Sequence, residues 1–213
     1  MTTGANTDTL IVDYDAGNLH SVARACHEVG LDAEICADPD RLRLASRIVF
    51  PGVGAAGSAM RSMQARGLDE ALLEVIGLGR PVLGICLGLQ ISFDYSEENT
   101  TRTLGLIKGE VHRFNLEDPA LKIPHMGWNE VRVVRPHPVL KDIVAGDEFY
   151  FVHAYFPQPA TEEAVLAVTD YEHEFASAVG QDNYVATQFH PEKSGRVGLQ
   201  LIANFAQWDG NAE

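Results

Sequence analysis

The run Pro81-Val-Leu-Gly-Ile-Cys86-Leu-Gly88 places one cysteine after a short apolar segment, with glycines two positions before it and two positions after it. Such a run predicts a buried strand, a tight turn at Cys86 and a helix that follows. Glycines at 84 and 88 remove side chains that would collide with neighbouring backbone in that turn. This is the nucleophile-elbow pattern with cysteine in place of serine, and it predicts an α/β fold.

Upstream of this run, short apolar strands alternate with amphipathic helices. Helices are predicted over 19–29, ended by Gly30, and over 68–78. Strands are predicted over 9–13, 33–37, 47–50 and 81–85. This alternation is typical of a parallel sheet with helices on both faces.

Downstream of it, the chain is richer in strands, which predicts an antiparallel extension of the sheet. They are predicted over 130–134, 148–152, 164–169, 176–180 and 184–189. A closing helix is predicted where one face collects Val197, Leu201, Ile202, Phe205 and Trp208. The predicted fold class is therefore α/β, a mostly parallel central sheet flanked by helices with an antiparallel extension.

Length, composition and charge limit the possible organisation and partners. The 213 residues are 46% hydrophobic and 22% charged, as in ordinary globular proteins. No linker, repeat or shift in composition divides the chain, so we expect one domain over 1–213, with 1–8 a frayed tail. The net charge of −14 argues against nucleic acid or an anionic membrane as the main partner.

The cysteine count and the first residues of the chain indicate the cellular compartment. Neither a signal peptide nor a run of about 18 apolar residues is present, so we expect a soluble, cytoplasmic protein. Three cysteines are too few for a disulfide framework. Cys26, on the apolar face of a helix, and Cys36, in a strand, are expected to pack in the core. The helix that begins after Cys86 favours its thiolate, the attacking form.

A base for this cysteine lies in the segment Thr187-Gln-Phe-His190-Pro-Glu192. We expect the segment to be extended, because a following proline disfavours helical backbone at His190. In an extended chain, the side chains of His190 and Glu192 project to the same side. Cys86, His190 and Glu192 are therefore the candidate catalytic residues.

A glycine-rich segment, Pro51-Gly-Val-Gly54, directly follows the strand predicted at 47–50. It lacks the Gly-Lys-Ser/Thr end of a P-loop and the full spacing of a dinucleotide fingerprint. Its flexible backbone could turn the N–H of Val53 toward an oxygen that becomes negative, with the N–H of Leu87 as the second donor. A purely structural turn is the alternative.

The other histidines show none of the close His or Cys pairings of a zinc site. They are His20, His27, His112, His125, His137, His153 and His173. We expect no metal and no other cofactor.

Taken together, these motifs resemble the class-I, triad-type glutamine amidotransferase family over about residues 10–208, through GICLGLQ at 84–90 and FHPE at 189–192. The resemblance implies a flavodoxin-like fold in which Cys86 attacks the side-chain amide of glutamine. His190 would serve as base and then as acid, and Glu192 would orient the imidazole. It also implies a set of residues that bind the substrate, namely Gly52, Gly54, Gln90, Glu98, Ala154 and Tyr155.

Within that family, the chain resembles the glutaminase subunits of imidazole glycerol phosphate synthases. The likeness lies in DYDAGNLHSV at 13–22, FPGVG at 50–54, PHMGWN at 124–129, FYFVHAY at 149–155 and FHPEKS at 189–194. It implies a heterodimer with a cyclase subunit, a (β/α)8 barrel. The cyclase would use ammonia to make imidazole glycerol phosphate and aminoimidazole carboxamide ribonucleotide, a lyase step of histidine biosynthesis. The interface or ammonia gate would include Asn18, Pro124, Trp128, Tyr150 and Lys193.

Several alternatives stand beside this interpretation. For Trp128 and Tyr150 the alternative is core packing. Ala154 stands where the family more often has Ser or Thr, and Asp15 where another small residue is common, which could alter glutamine binding or the interface. The functional alternatives are the glutaminase component of another amidotransferase, a catalytically silent binding subunit on the same fold, and a stand-alone cysteine hydrolase.

Overall fold

The first half of the chain forms the parallel part of a central sheet in the computed structural model, which describes residues 9–211. The predicted tail, 1–8, lies outside the described residues. The strands are β1 (Thr9–Val12), β2 (Ala33–Cys36), β3 (Arg47–Gly52) and β4 (Val82–Cys86). They pair in parallel in the order β2-β1-β3-β4. β1 and β4 are buried along their whole length, which is why they are apolar throughout.

Helices cover both faces of this sheet. They are α1 (Leu19–Glu28), α2 (Pro39–Leu44), α3 (Ala56–Arg66), α4 (Leu68–Gly77), α5 (Leu87–Gln90) and α6 (Gly195–Gln207). Alternate residues of each strand face opposite sides. Ile11 and Val49 therefore pack with α1 and α6. Leu10 and Ile48 pack with α2, α3 and α4.

The described residues of the second half form short strands in three sheets. The strands are β5 (Tyr95–Ser96), β6 (Thr101–Arg102), β7 (Gly109–Arg113), β8 (His125–Glu130), β9 (Arg132–Val133), β10 (Glu148–His153), β11 (Tyr155–Pro159), β12 (Val165–Tyr171), β13 (His173–Gln181) and β14 (Tyr184–Thr187). β14 pairs in parallel with β4, and β13, β12 and β9 continue the central sheet in antiparallel order. β8 pairs with β10, and β11, β7, β5 and β6 form the third sheet.

The mostly parallel sheet with its antiparallel extension confirms the predicted fold class. The prediction of one strand over 130–134 is wrong, because the chain passes from one sheet to another at the buried Val131. β8 ends before that residue and pairs with β10, whereas β9 follows it and pairs with β12.

The carboxyl ends of three neighbouring parallel strands bring the sequence motifs together. Gly52 at the end of β3 pairs with Cys86 at the end of β4. Thr187 at the end of β14 pairs with Ile85, so the segment that leads to His190 leaves the sheet beside Cys86. Ligand sites of open parallel sheets form at this edge. Within the described residues, no helix is both long and apolar enough to cross a membrane.

Candidate active site

Cys86 has a backbone conformation that residues other than glycine rarely adopt, with φ 54° and ψ −102°. It is the last residue of β4, and the helix that follows, α5, has only four residues. A Cβ on Gly88 would lie 1.9 Å from the carbonyl oxygen of Phe50, so glycine is required there. A Cβ on Gly84 would meet the Tyr184 hydroxyl at 2.3 Å, so the obstacle at this position is a side chain rather than the predicted backbone. The turn thus presents the thiol at the strand end.

His190 and Glu192 form a buried pair, with Nδ1 of the imidazole 2.7 Å from Oε1 of the carboxylate. Their side chains are 1% and 0% exposed. The expectation of an extended segment is wrong beyond His190, because Pro191–Lys193 forms a 3-10 turn. The fixed φ of proline suits the first position of such a turn. The turn, rather than the alternation of a strand, accounts for how the two side chains meet.

The charges around His190 favour its protonated form. Burial lowers the pKa of His190, but the anionic Cys86 and the Glu192 carboxylate outweigh it and raise the pKa to about 10. At neutral pH the imidazole of His190 is therefore protonated. Burial, together with the charge of Glu192, raises the pKa of the Cys26 thiol to about 12. Cys26 therefore stays a thiol at neutral pH, and both Cys26 and Cys36 are buried as predicted.

Asn18 lies at the far end of the His190–Glu192 pair. Its amide Nδ2 donates to Oε1 of Glu192, the same oxygen that contacts the imidazole. Asn18 adopts a left-handed conformation, with φ 74°, immediately before α1. The sequence assigned it to the interface or gate, and its contact with the carboxylate was not predicted.

A cavity of about 390 Å³ opens beside Cys86. Its walls come from the glycine-rich loop, α5, β10 and the start of β11. The predicted oxyanion and substrate-binding residues that line it are Val53, Gly54, Leu87, Gln90, Glu98, Ala154 and Tyr155. Gly52 lies at the end of β3, where a Cβ would meet the Tyr14 hydroxyl at 1.8 Å. Oε2 of Glu98 accepts a hydrogen bond from the N–H of Ala56 at 2.7 Å, which holds the start of α3 against this wall.

Gln188 is a buried residue that the sequence did not single out. Its Nε2 donates to Sγ of Cys86 at 3.6 Å. Its Oε1 accepts from Nε2 of Gln90 at 3.1 Å, and the same nitrogen donates to the carbonyl oxygen of Tyr155 at 3.0 Å. The one sequence signal for Gln188 is its place just before Phe189 and His190.

Comparison with known proteins identifies the family. The family model described as "Glutamine amidotransferase class-I" matches residues 10–208. The chain belongs to this family.

Individual members of the class-I family are similar to the chain over almost its whole length. Each of the following three proteins bears the name imidazole glycerol phosphate synthase subunit HisH. The one from Nitratidesulfovibrio vulgaris strain DP4 is 50% identical, covering 93% of this chain and 95% of that protein. The one from Chromobacterium violaceum is 46% identical, covering 94% and 98%. The one from Neisseria meningitidis serogroup B is 44% identical, covering 94% and 99%.

Solved structures share the fold at much lower sequence identity. The structure titled PurLQS from Thermotoga maritima has a TM-score of 0.74 at 16% identity and covers 95% of this chain and 99% of that chain. The glutaminase domain of Trypanosoma brucei CTPS has a TM-score of 0.69 at 18% identity and covers 98% and 97%. These likenesses establish the class-I fold.

In this class-I amidotransferase, three of the residues predicted for the interface or gate, Trp128, Tyr150 and Lys193, lie next to one another. Trp128 is 54% exposed, so core packing is the wrong interpretation for it. Its ring lies 6.2 Å from the partly buried ring of Tyr150, edge to face. The ammonium of Lys193 lies 5.7 Å from the centre of the Tyr150 ring. Pro124 lines the cavity itself, after a cis peptide bond with Ile123.

The two positions that depart from the family pattern, Asp15 and Ala154, make contacts within the chain. The Asp15 carboxylate pairs with Arg66 and accepts a hydrogen bond from the Ser62 hydroxyl at 3.2 Å. The backbone carbonyl of Ala154 accepts from the N–H of Phe114 at 3.0 Å. Within 9–211, no group of three His, Cys, Asp or Glu residues is arranged to hold a metal ion.

Proposed function

We propose that this chain is the glutaminase subunit of imidazole glycerol phosphate synthase and that it acts as a single domain in histidine biosynthesis. The observation that carries the proposal is the strained Cys86 at the edge of the cavity, with the buried His190–Glu192 pair on the neighbouring segment that follows β14. Membership of the class-I family supplies the substrate, glutamine. Relatives named imidazole glycerol phosphate synthase subunit HisH support the assignment to that synthase.

In the first half-reaction, the Cys86 thiolate attacks the side-chain carbonyl carbon of glutamine. The imidazolium of His190 then gives its proton to the leaving nitrogen, which departs as ammonia. The pKa of about 10 for His190 supports this sequence, because the proton is already on the ring before attack. A glutamyl thioester on Cys86 remains.

In the second half-reaction, the now neutral His190 removes a proton from water. The hydroxide attacks the thioester, the Cys86 thiolate leaves, and glutamate is released with the ion pair restored. In both halves the carbonyl oxygen becomes negative, and the N–H groups of Val53 and Leu87 are the donors proposed to stabilise it. Glu192 keeps the imidazole oriented, with Asn18 as its second hydrogen-bond partner.

Glutamine is recognised by the walls of the cavity. Gly52, Gly54, Ala154 and Tyr155 provide backbone groups, and Gln90 and Glu98 provide side chains, for the amino and carboxylate groups of the substrate. Gln90 already donates to the Tyr155 carbonyl, so its remaining oxygen is available to an amino group.

Ammonia passes to a cyclase subunit with a (β/α)8 barrel in a heterodimer. Pro124, Trp128, Tyr150, Lys193 and Asn18 are proposed to form the contact and its gate. The exposure of Trp128 and Met126 on one face of β8 supports a docking surface there, because large apolar side chains are seldom left in water together. A cytoplasmic location belongs to this proposal and is supported by three free thiols.

The test is a glutaminase assay of the chain alone, with the cyclase, and with the cyclase plus its nucleotide substrate. We expect the complete mixture to hydrolyse glutamine much faster than the chain alone, and the Cys86→Ala variant to be inactive in all three. Equal hydrolysis by the chain alone would contradict the gated subunit and favour a stand-alone hydrolase. Inactivity in every mixture would favour a silent binding subunit or another amidotransferase partner.

A further inference from the structure

Two buried histidines that the proposed mechanism does not use form a hydrogen-bonded pair. His125 on β8 and His153 on β10 are register partners, 3% and 5% exposed. Nδ1 of His125 lies 3.0 Å from Nε2 of His153. On the other side of the second ring, Nδ1 of His153 lies 2.8 Å from the carbonyl oxygen of Tyr155.

The chemistry of the partners fixes the position of each proton. A carbonyl oxygen only accepts, so Nδ1 of His153 carries the hydrogen and Nε2 of the same ring accepts. Nδ1 of His125 must therefore carry the hydrogen between the two rings. Nε2 of His125 accepts a hydrogen bond from the amide nitrogen of Asn129, at 3.3 Å. Burial lowers the pKa of His125 to about 4 and of His153 to about 3, so both rings are neutral at neutral pH.

Aromatic side chains hold the pair in one orientation. The ring of His125 stacks on Phe151 at 4.8 Å and on Tyr171 at 4.0 Å. Phe114 packs against His153 at 5.3 Å and against the edge of His125 at 6.5 Å. Ring rotation would break hydrogen bonds between rings that are almost fully buried, which disfavours it.

The carbonyl oxygen of Tyr155 joins this pair to the active site. It accepts from His153 and also from Nε2 of Gln90, which lines the cavity. The same nitrogen of Gln90 contacts Gln188, whose amide donates to Sγ of Cys86. One continuous set of hydrogen bonds therefore runs from Asn129 on β8 to the thiol.

Strand β8 has two faces with different surroundings. His125 lies on the inner face, whereas Met126 and Trp128 are 62% and 54% exposed on the outer face. The outer face is part of the proposed docking surface, and the inner face carries the first histidine of the pair.

We propose that His125 and His153 are positioning residues that fix the Tyr155 carbonyl, and through it Gln90, relative to the docking strand β8. This inference rests on the proposed function for its substrate and partner. In the free chain the pair sets the shape of the glutamine site, and a partner that moves β8 would move Gln90 with it.

The first test is spectroscopic and needs no activity. Long-range ¹H–¹⁵N spectra of the full chain, with ¹⁵N-labelled histidine at pH 7, report which ring nitrogen carries the proton. We expect the Nδ1–H tautomer at both positions, assigned by the loss of signals in single variants. An Nε2–H tautomer or an imidazolium at either position would overturn the proposal, even in a fully active enzyme.

The second test separates the two hydrogen bonds of His153 in the complex with the cyclase. His153→Asn keeps a donor near the Nδ1 position for Tyr155, whereas His153→Gln places its amide near the Nε2 position and leaves Tyr155 without a donor. We expect His153→Gln to raise KM for glutamine about tenfold, the usual size for one lost hydrogen bond, with kcat nearly unchanged. His153→Asn should keep KM near that of the natural chain. Equal KM values for the two variants would overturn the proposal.

His137 provides the matched control. It is also a buried histidine, with its pKa lowered to about 4 by burial, but it contacts Val139 and Trp208 away from the cavity. His137→Gln should lower thermal stability without a change in KM; a tenfold rise in KM there would mean that any buried histidine has this effect and would overturn the assignment. If the natural complex hydrolyses no glutamine, the proposed function fails, whereas the tautomer result still decides the positions of the protons.

Discussion

Asn18 donates a hydrogen bond to Glu192 through the carboxylate oxygen that also contacts His190. A residue that the family resemblance places at the interface or gate therefore contacts the carboxylate that is proposed to orient the imidazole. The carboxylate has two donors on one oxygen, and this arrangement restricts its rotation.

Removal of the Asn18 side chain should slow catalysis. Asn18→Gly keeps the left-handed backbone, since glycine tolerates φ 74°, and removes the donor to Glu192. Hydrogen bonds to charged groups contribute about 1.5–3 kcal/mol, so we expect kcat to fall by about tenfold or more in the complex. Asn18→Ala should show the same loss of kcat and a lower melting temperature. An unchanged kcat for Asn18→Gly would exclude an orienting role.

The three cysteines should differ sharply in reactivity. Cys86 borders the cavity, whereas Cys26 is 1% exposed and its pKa is raised to about 12. Brief treatment with iodoacetamide at pH 7 should modify Cys86 alone and abolish glutaminase activity. Peptide mass spectrometry locates the adduct. The Cys26→Ala variant serves as control and should keep its activity, and adducts on Cys26 before Cys86 would contradict the assignment.

Glu192→Gln should change the pH dependence of turnover. The Glu192 carboxylate raises the pKa of His190, so its neutralisation lowers that pKa. In the proposed mechanism the leaving ammonia takes the imidazolium proton, so we expect activity to be lost as pH rises through this pKa. The alkaline limb of the pH profile of kcat should therefore move to lower pH, and the maximum of kcat should fall. A pH–rate profile of the complex measures the shift. Movement of the alkaline limb to higher pH would contradict the prediction.

Gly88→Ala should unfold or strongly destabilise the chain. The new Cβ would lie 1.9 Å from a backbone oxygen of Phe50, and both groups belong to buried backbone that cannot move aside. We expect a loss of at least about 3 kcal/mol in the free energy of unfolding. Gly77→Ala is the matched control, because a Cβ there has open space at the end of α4. Urea titration should show that variant at least as stable as the natural chain.

Trp128→Ala should weaken the complex without loss of fold. Trp128 is 54% exposed and contacts Tyr150 at its edge, so its removal leaves no internal cavity. A central aromatic contact contributes about 2 kcal/mol or more, so Kd for the cyclase should rise about thirtyfold. Leu44→Ala removes a side chain that is 77% exposed at the end of α2, between β2 and β3 in the chain, and should leave Kd unchanged. Equal Kd values for both variants would place the docking surface elsewhere.

Much of the central fold could be predicted from the sequence, because β1, β3 and β4 are continuous apolar runs between helices. Two helices were missed for identifiable reasons. The six residues of α2 are too few to show a helical period. The sequence of α3, AGSAMRSMQAR, buries mainly alanine, glycine and methionine, so its apolar face is weakly marked.

The candidate site could be predicted only where a motif is local. Cys86 stands between two glycines, and His190 and Glu192 lie two positions apart, so both signals fit in a short window. The contacts of Gln188, Asn18 and the His125–His153 pair were missed because each joins segments far apart in the chain. These contacts depend on which strands lie side by side, and the order of the strands was not predicted in detail.

The position of β14 in the centre of the sheet has a consequence for biosynthesis of the protein. β4, which carries Cys86, leaves the ribosome well before β14 and His190, with most of the second half of the chain between them. A nascent chain therefore exposes the nucleophile without its base until β14 takes its place between β4 and β13. Under the proposed mechanism, an unfinished copy therefore lacks the base until the last parallel strand has been translated.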